Sequence, residues 1–197
     1  MHMFVTLTGV APLLCHNIQL ADPDNRWSRQ ISEITKKRKK TDDDRREIGR
    51  LEWFGSLYTH QGKIIIPTAN ILKCFIETAK VTKEGRSVTR AVAIIEPHTR
   101  LIYNGPDDPE ELWQQQEFRD STLVGIGKQR IVRMRPIFRA WMVKTEFEVL
   151  TEVMDYDAIT KIIRLAGRVE GLGDNRVNGY GRFTAEIESS DEMSEAA

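Results

Sequence analysis

The chain is poor in cysteine, has no long apolar run and carries no net charge. Cys15 and Cys74 are its only cysteines among 197 residues. They are too few and too far apart for a disulfide framework or a paired-cysteine zinc site, so both read as buried thiols. No apolar stretch approaches the ~20 residues that span a bilayer, and no basic segment followed by an apolar one opens the chain as in a signal peptide. A cytoplasmic location without a membrane partner is the expectation. His16, His60 and His98 are scattered, with no H-x-x-x-H, H-E-x-x-H or paired Cys–His spacing, so no structural zinc is expected. A Walker A loop is missing too, and no G-x-G-x-x-G follows a strand, which excludes the usual nucleotide-cofactor sites. No cofactor is expected.

What is present is a hidden asymmetry of charge. The 29 basic and 29 acidic residues balance, but Glu186, Glu188, Asp191, Glu192 and Glu195 all follow Arg182 with no Lys or Arg among them. Residues 1–182 therefore carry a formal +5. Residues 189–197, small and acidic, read as a disordered tail on a mildly basic body.

The patterning predicts an α+β fold. Phe4 to Val10 alternates and breaks at Gly9–Pro12, as an opening strand does. Trp27, Ile31 and Ile34 then recur at helical spacing before the run Lys36, Lys37, Arg38, Lys39, Lys40. Asp42 to Asp44 open a second helix through Ile48, Leu51 and Phe54. Together these form a charged helical insertion at about 22–54. A hairpin turning near Gly62 leads to a helix opened by Pro67 and Thr68, with Ile71, Leu72, Phe75, Ile76 and Ala79 on one face. Two strands straddle Pro97, a short helix begins near Asp108, and a hairpin from Ser121 to Met134 turns at Gly125–Lys128. Trp141, Val143, Thr145, Phe147 and Val149 alternate with Lys144, Glu146 and Glu148 in a strand. A helix carrying Ile159, Ile162, Ile163 and Ala166 and a closing strand with Phe183, Ala185 and Ile187 facing inward complete the chain. Reduced to its core, the order is β-α-β-β-α-β with insertions and extra hairpins. That is the ferredoxin-like signature of an antiparallel sheet with helices on one face, here one domain over residues 1–188.

Three basic features are candidate anion contacts, each with a plain structural alternative. In "GLGDNRVNGYGRF" (171–183), successive backbone amides at positive φ could form an anion nest flanked by Arg176 and Arg182, or the glycines could simply turn a helix into a strand. Lys128, Arg130, Arg133 and Arg135, followed by Arg139, lie in and after one strand; Arg133 and Arg135 share a face that could track phosphates or merely be solvated. Lys36 to Lys40 form a secondary basic patch on the same terms. Trp113 and Trp141 fall in core patterns, whereas Trp27, Trp53 and Tyr180 are freer to stack on bases. His16 is the one weak candidate for a catalytic base, and no partner for it is evident. Asp22, Asp24 and Asp42 to Asp44 could hold a divalent ion, but caps and turns account for them.

Three segments in order, "LTGVAPLLCHN", "IIIPTANILKCFIETA" and "GLGDNRVNGYGRF", resemble the landmarks of the RAMP superfamily, the ferredoxin-like RNA-binding proteins of CRISPR effector complexes. Ile66, Pro67, Leu72 and Lys73 match the family's helix motif. Thr68, Ala69 and Asn70 replace its small hydroxyl pair, and Cys74 replaces its glycine. Gly171, Gly173, Arg176, Gly179, Gly181 and Arg182 match its glycine-rich loop. The resemblance spans the core but not the insertion or the middle segment, and "RMRPIFRAW" ahead of that loop looks closer to phage and prophage proteins of this type, which would act in a host cytoplasm. It implies a sheet face and glycine-rich loop that grip a single-stranded backbone, the insertion serving as thumb or finger, and subunits able to stack along RNA.

The resulting expectation is a non-catalytic single-stranded nucleic-acid-binding protein, RNA before DNA, able to form homo-oligomers. Its contacts would be Lys128, Arg130, Arg133, Arg135, Gly171, Gly173, Arg176, Gly179, Tyr180, Gly181 and Arg182. The alternatives are a metal-independent endoribonuclease using His16, and a structural or anti-defence protein that oligomerises or joins a CRISPR-type complex.

Overall fold

A computed structural model describes residues 1–126 and 129–190, with the side chains of all of these except 124–126 and 129–131. The chain runs β1 (His2–Gly9), β2 (Leu13–Leu14), α1 (Arg26–Thr35), α2 (Asp42–Ser56), the hairpin β3 (Thr59–His60) and β4 (Lys63–Pro67), α3 (Thr68–Ala79) and α4 (Gly85–Ala91). It continues through β5 (Val92–Ile94), β6 (His98–Ile102), α5 (Pro109–Gln114), the ribbon β7 (Arg119–Ile126) and β8 (Gln129–Phe138), β9 (Met142–Val149), α6 (Tyr156–Val169) and β10 (Phe183–Ser189). The protein is a mixed α+β structure with antiparallel sheets.

Alternation sets the main sheet. Met3, Val5 and Leu7 of β1 are buried while Phe4, Thr6 and Thr8 turn outward, and in β9 Val143, Phe147 and Val149 are buried while Lys144 and Glu148 are exposed. This is the period of two expected of a half-buried strand. The strand order is β10-β1-β9-β6-β4-β3, with β5 also paired to β9; a second sheet has the order β2-β8-β7. β1 is thus an interior strand, antiparallel to β10 on one side (Val5 opposite Ile187) and to β9 on the other (Val5 opposite Thr145).

Helices α3 and α6 pack against each other, and their apolar stripes close the core. Ile71 and Phe75 from α3 and Ile159, Ile163 and Ala166 from α6 join Met3, Val5, Leu7, Val143 and Phe147 in one cluster. Phe75 meets Phe147 edge-to-face with centroids 5.8 Å apart, the geometry that aligns ring edge with ring face. Helix α2 starts in a capping box: Thr41 Oγ1 accepts from the Asp44 amide (3.1 Å) and Asp44 Oδ2 accepts from the Thr41 amide (3.0 Å). It packs along β8.

Several expectations change. Helix α4 was not foreseen, because seven residues are too short for periodicity to stand out. Trp53, expected to be free for stacking, is wholly buried, and its Nε1 donates to the Phe118 carbonyl at 2.8 Å. Trp27 is half-buried and stacks on Phe54. Ser189, read as the start of the tail, is the last residue of β10, opposite Met3; residues 191–197 lie outside the described residues. β7 and β8 do pair as a hairpin, while Gly127 and Lys128 of its expected turn also lie outside. Among the described residues no helix is long and apolar enough to cross a membrane.

Candidate nucleic-acid interface

What approaches the glycine-rich loop most closely is the protein's own backbone. Gly181 has φ +68°, and a Cβ there would lie 1.8 Å from the Leu172 carbonyl oxygen; at Gly173, φ +77°, it would lie 2.3 Å from the Leu14 carbonyl oxygen. Only glycine tolerates both the left-handed backbone and these contacts. The amides are committed as well: Leu172 N–H donates to the Gly181 carbonyl (2.9 Å), Asp174 N–H to Leu14 (2.8 Å) and Gly181 N–H to Pro12 (2.7 Å). Of the glycine amides expected to face an anion, those of Gly171 and Gly181 are taken by the Ala166 and Pro12 carbonyls. Gly173 and Gly181 bolt the loop onto the Pro12–Leu14 segment, Gly171 lies against the Tyr180 and Gly181 carbonyls, and of the loop's glycines Gly179 alone has open space where a side chain would go.

The arginines of β8 are likewise engaged. Arg135 is 5% exposed and is held by Asp174 (2.7 Å) and Asp120 (3.2 Å), tying the β7–β8 ribbon to the glycine-rich loop. Arg133 pairs with Glu52 of α2 at 3.0 Å, and the other oxygen of that buried carboxylate accepts from the Met134 amide. Of the row expected to track phosphates, Arg133 and Arg135 are thus neutralised by carboxylates of the fold, as a buried cation such as Arg135 requires. Arg139 donates to the Glu117 carbonyl. The side chain of Arg130 and the whole of Lys128 lie outside the described residues. Lys36 to Lys39 are exposed in the turn between α1 and α2, where Lys37 bonds Asp44 at 2.6 Å and, with the Thr41 amide, draws that carboxyl down to about 2. Arg176 pairs with Glu170; Arg182 Nη2 donates to the Arg176 carbonyl, while its Nη1 is buried without a hydrogen-bond partner. Tyr180 is half-buried.

Beside the loop lies a cleft of about 220 Å³. Asn70 and Lys73 face it from α3, Arg176 and Gly171–Asp174 from the loop, and His16 and Tyr58 from the segments after β2 and α2. Tyr58 donates its hydroxyl to the His16 carbonyl (3.1 Å), and Ser56 Oγ lies 3.5 Å from His16 Nδ1. Burial, aided by Arg133 and Arg135 against Asp174 and Glu52, lowers the His16 pKa, so its imidazole is neutral at pH 7. Burial also raises Tyr58 and pushes the Cys15 thiol up to about 12, which makes that thiol inert. Burial opposes ionisation of Asp174, yet the bonds from Arg135 and the Asn175 amide bring its pKa below the ordinary carboxylate value. Sequence reasoning found His16 and Arg176 but missed Tyr58, Ser56 and Asn70. Ser56 and Tyr58 come from the end of α2 and Asn70 from α3, and no spacing links either to His16.

The outward side of the sheet does not suit a phosphate chain. Around Phe4 and Thr6 of β1 stand Glu146, Glu148, Glu186 and Glu188, against Lys144. His2 is tied to Glu146 at 2.5 Å. The charge of this part of the face disfavours anions. Among the described residues no group of three or more His, Cys, Asp or Glu is placed to hold a metal. No protein-family model matches the chain, and no curated protein sequence matches it.

Proposed function

We propose that the protein binds single-stranded nucleic acid through its phosphates, gripping it in the cleft between α3 and the glycine-rich loop, on a ferredoxin-like core of the RAMP type. The fold part of this reading is supported by the order β10-β1-β9-β6, with α3 between β1 and β6 and α6 between β9 and β10. A split β-α-β with its mirror half produces that arrangement. The functional part is carried by one observation: Lys73, Asn70 and Arg176 converge on a single open cleft, where Asp174 is already bound by Arg135. Cations and an amide set around a narrow cleft match a phosphodiester, and such contacts release counterions.

The test is anisotropy of a labelled oligouridylate titrated with protein at several salt concentrations. Affinity should fall linearly on a log–log plot. Lys73→Gln with Arg176→Gln should reduce the slope by about 1.4, each phosphate that is no longer neutralised accounting for ~0.7. Absence of salt-dependent binding to any single strand, RNA or DNA, rejects the proposal.

A second reading, metal-independent RNA cleavage, gains from the grouping of neutral His16 with Ser56, Tyr58 and Lys73. A neutral imidazole can accept the 2′-hydroxyl proton as that oxygen attacks the adjacent phosphorus and the bond to the next nucleotide's 5′-oxygen breaks; the departing oxygen takes a proton from water, a 2′,3′-cyclic phosphate remains, and Lys73 and Arg176 offset the charge added in between. Labelled RNA incubated in EDTA with wild type and with His16→Ala decides it: RNA left intact by both eliminates the enzyme.

A further inference from the structure

Helix α4 and the turn before it build a second cationic surface. A groove of about 720 Å³ between α3 and α4 is lined by Lys80, Lys83, Arg86 and Arg90, with Ile76 at its floor and no carboxylate on its wall. Lys83, Arg86 and Arg90 are exposed and make no ion pair among the described residues, in contrast to Arg133, Arg135 and Arg176. Lys83 holds this place at φ +64°, a conformation in which glycine is the residue of least cost. The groove and the cleft border the same helix. Lys73, on the cleft, and Lys80, the C-cap of α3 on the groove, are two turns apart along one side of the helix, roughly 10 Å along its axis. Glu77 between them is shared by both ammonium groups, at 3.6 and 2.7 Å.

We propose that this groove is a second contact for the same strand: leaving the cleft at Lys73, the backbone runs along α3 over Lys80 and settles against Lys83, Arg86 and Arg90. The inference rests on the cleft reading above and adds to it a direction and a minimum length. A polyanion is favoured because Lys83, Arg86 and Arg90 are uncompensated, and a single strand because the groove and the cationic cleft border the same helix.

The experiment uses the full chain and oligouridylates of ~5 and ~15 nucleotides, lengths within the range that single-strand sites cover. The groove variant is Lys83→Gly with Arg86→Gln and Arg90→Gln; the cleft variant is Lys73→Gln with Arg176→Gln. The groove variant should lose ~10-fold or more in affinity for the long strand, reduce its salt slope by about 2, and bind the short strand within ~2-fold of wild type. The cleft variant should weaken both strands. An unchanged long-strand affinity in the groove variant, with both strands weakened in the cleft variant, overturns the second contact and leaves the cleft standing. If neither variant changes binding, or no strand binds, the cleft reading fails and takes the groove with it. Loss of binding to anionic phospholipid vesicles with long-strand binding intact also overturns the inference, assigning the groove to a membrane surface. Should the triple variant melt early, Lys83→Gly alone serves. It relieves a left-handed lysine, so it should melt no lower than wild type while reducing the long-strand slope by about 0.7.

Discussion

The two faces of the main sheet lead to surfaces of opposite sign. Outward positions of β1, β9 and β10 gather Glu146, Glu148, Glu186 and Glu188, whereas the helices covering the inner side present Lys73, Lys80, Arg86 and Arg90. A formal net charge of zero conceals this polarity. The arginines divide in a second way: Arg133 and Arg135 of β8 are spent on Glu52, Asp120 and Asp174, whereas Arg86 and Arg90, on a short helix that no run of charge announces, are left open. Availability of a cation depends on whether the fold brings a carboxylate to it.

The strongest way to break this contrast is to remove a spent arginine and an open one in parallel. Arg135→Met strands Asp120 and Asp174 beside an apolar side chain and should cost about 3–5 kcal/mol, whereas Arg86→Gln should stay within about 0.5 kcal/mol. Urea denaturation measures both, and equal midpoints would erase the distinction. Next come the loop glycines. Alanine at Gly181 meets both a left-handed backbone and the Leu172 carbonyl, while at Gly179 it meets open space. The first should be the more destabilising by about 1–3 kcal/mol, the range typical of overpacking, and similar losses would mean that the loop is not bolted down as described.

A smaller effect concerns pH. The His16 pKa is lowered on folding, so the folded state favours the neutral ring. The associated stability is complete above the ordinary histidine value of ~6.5 and is lost as pH falls from there through the lowered folded value. Asp174, also lowered, acts in the same direction in a more acidic window, below ~3.9. Denaturation midpoints should therefore decline below about pH 6.5, and His16→Gln should flatten the upper part of that decline; a profile identical to wild type would exclude His16 as its source. The smallest effect is on the acidic face. Glu186→Gln with Glu188→Gln should raise affinity for a single strand by about 2-fold at low salt, and the gain should vanish near ~0.5 M salt as screening shortens the field. A loss of affinity instead would place the strand on the sheet.

Much of the fold was legible because it rests on short-range pattern. The alternation through Trp141 to Val149, the helical face of Ile71, Phe75 and Ala79, and the Asp108–Pro109 start of α5 each express a local rule, and each appears as read. The site was less legible. Arg133 and Arg135 looked like a free row because a strand shows its own alternation but not which carboxylates arrive from α2 and from beyond α6. Trp53 looked free because its burial depends on Phe118 and Trp113, both distant in sequence. The cleft partners Tyr58 and Asn70 meet His16 only after three elements have packed.

The position of β1 also has a kinetic side. Its two neighbours are residues 142–148 and 183–189, so β1 has no partner until β9, far along the chain, has been made, and its second edge stays open until β10 follows. Loops that long make closure slow and leave Met3, Val5 and Leu7 open to wrong pairings in the interval. The charges and outward polar residues at Thr6, Glu186 and Glu188 that discourage phosphate on the finished sheet also keep these unpaired edges from joining those of other nascent chains.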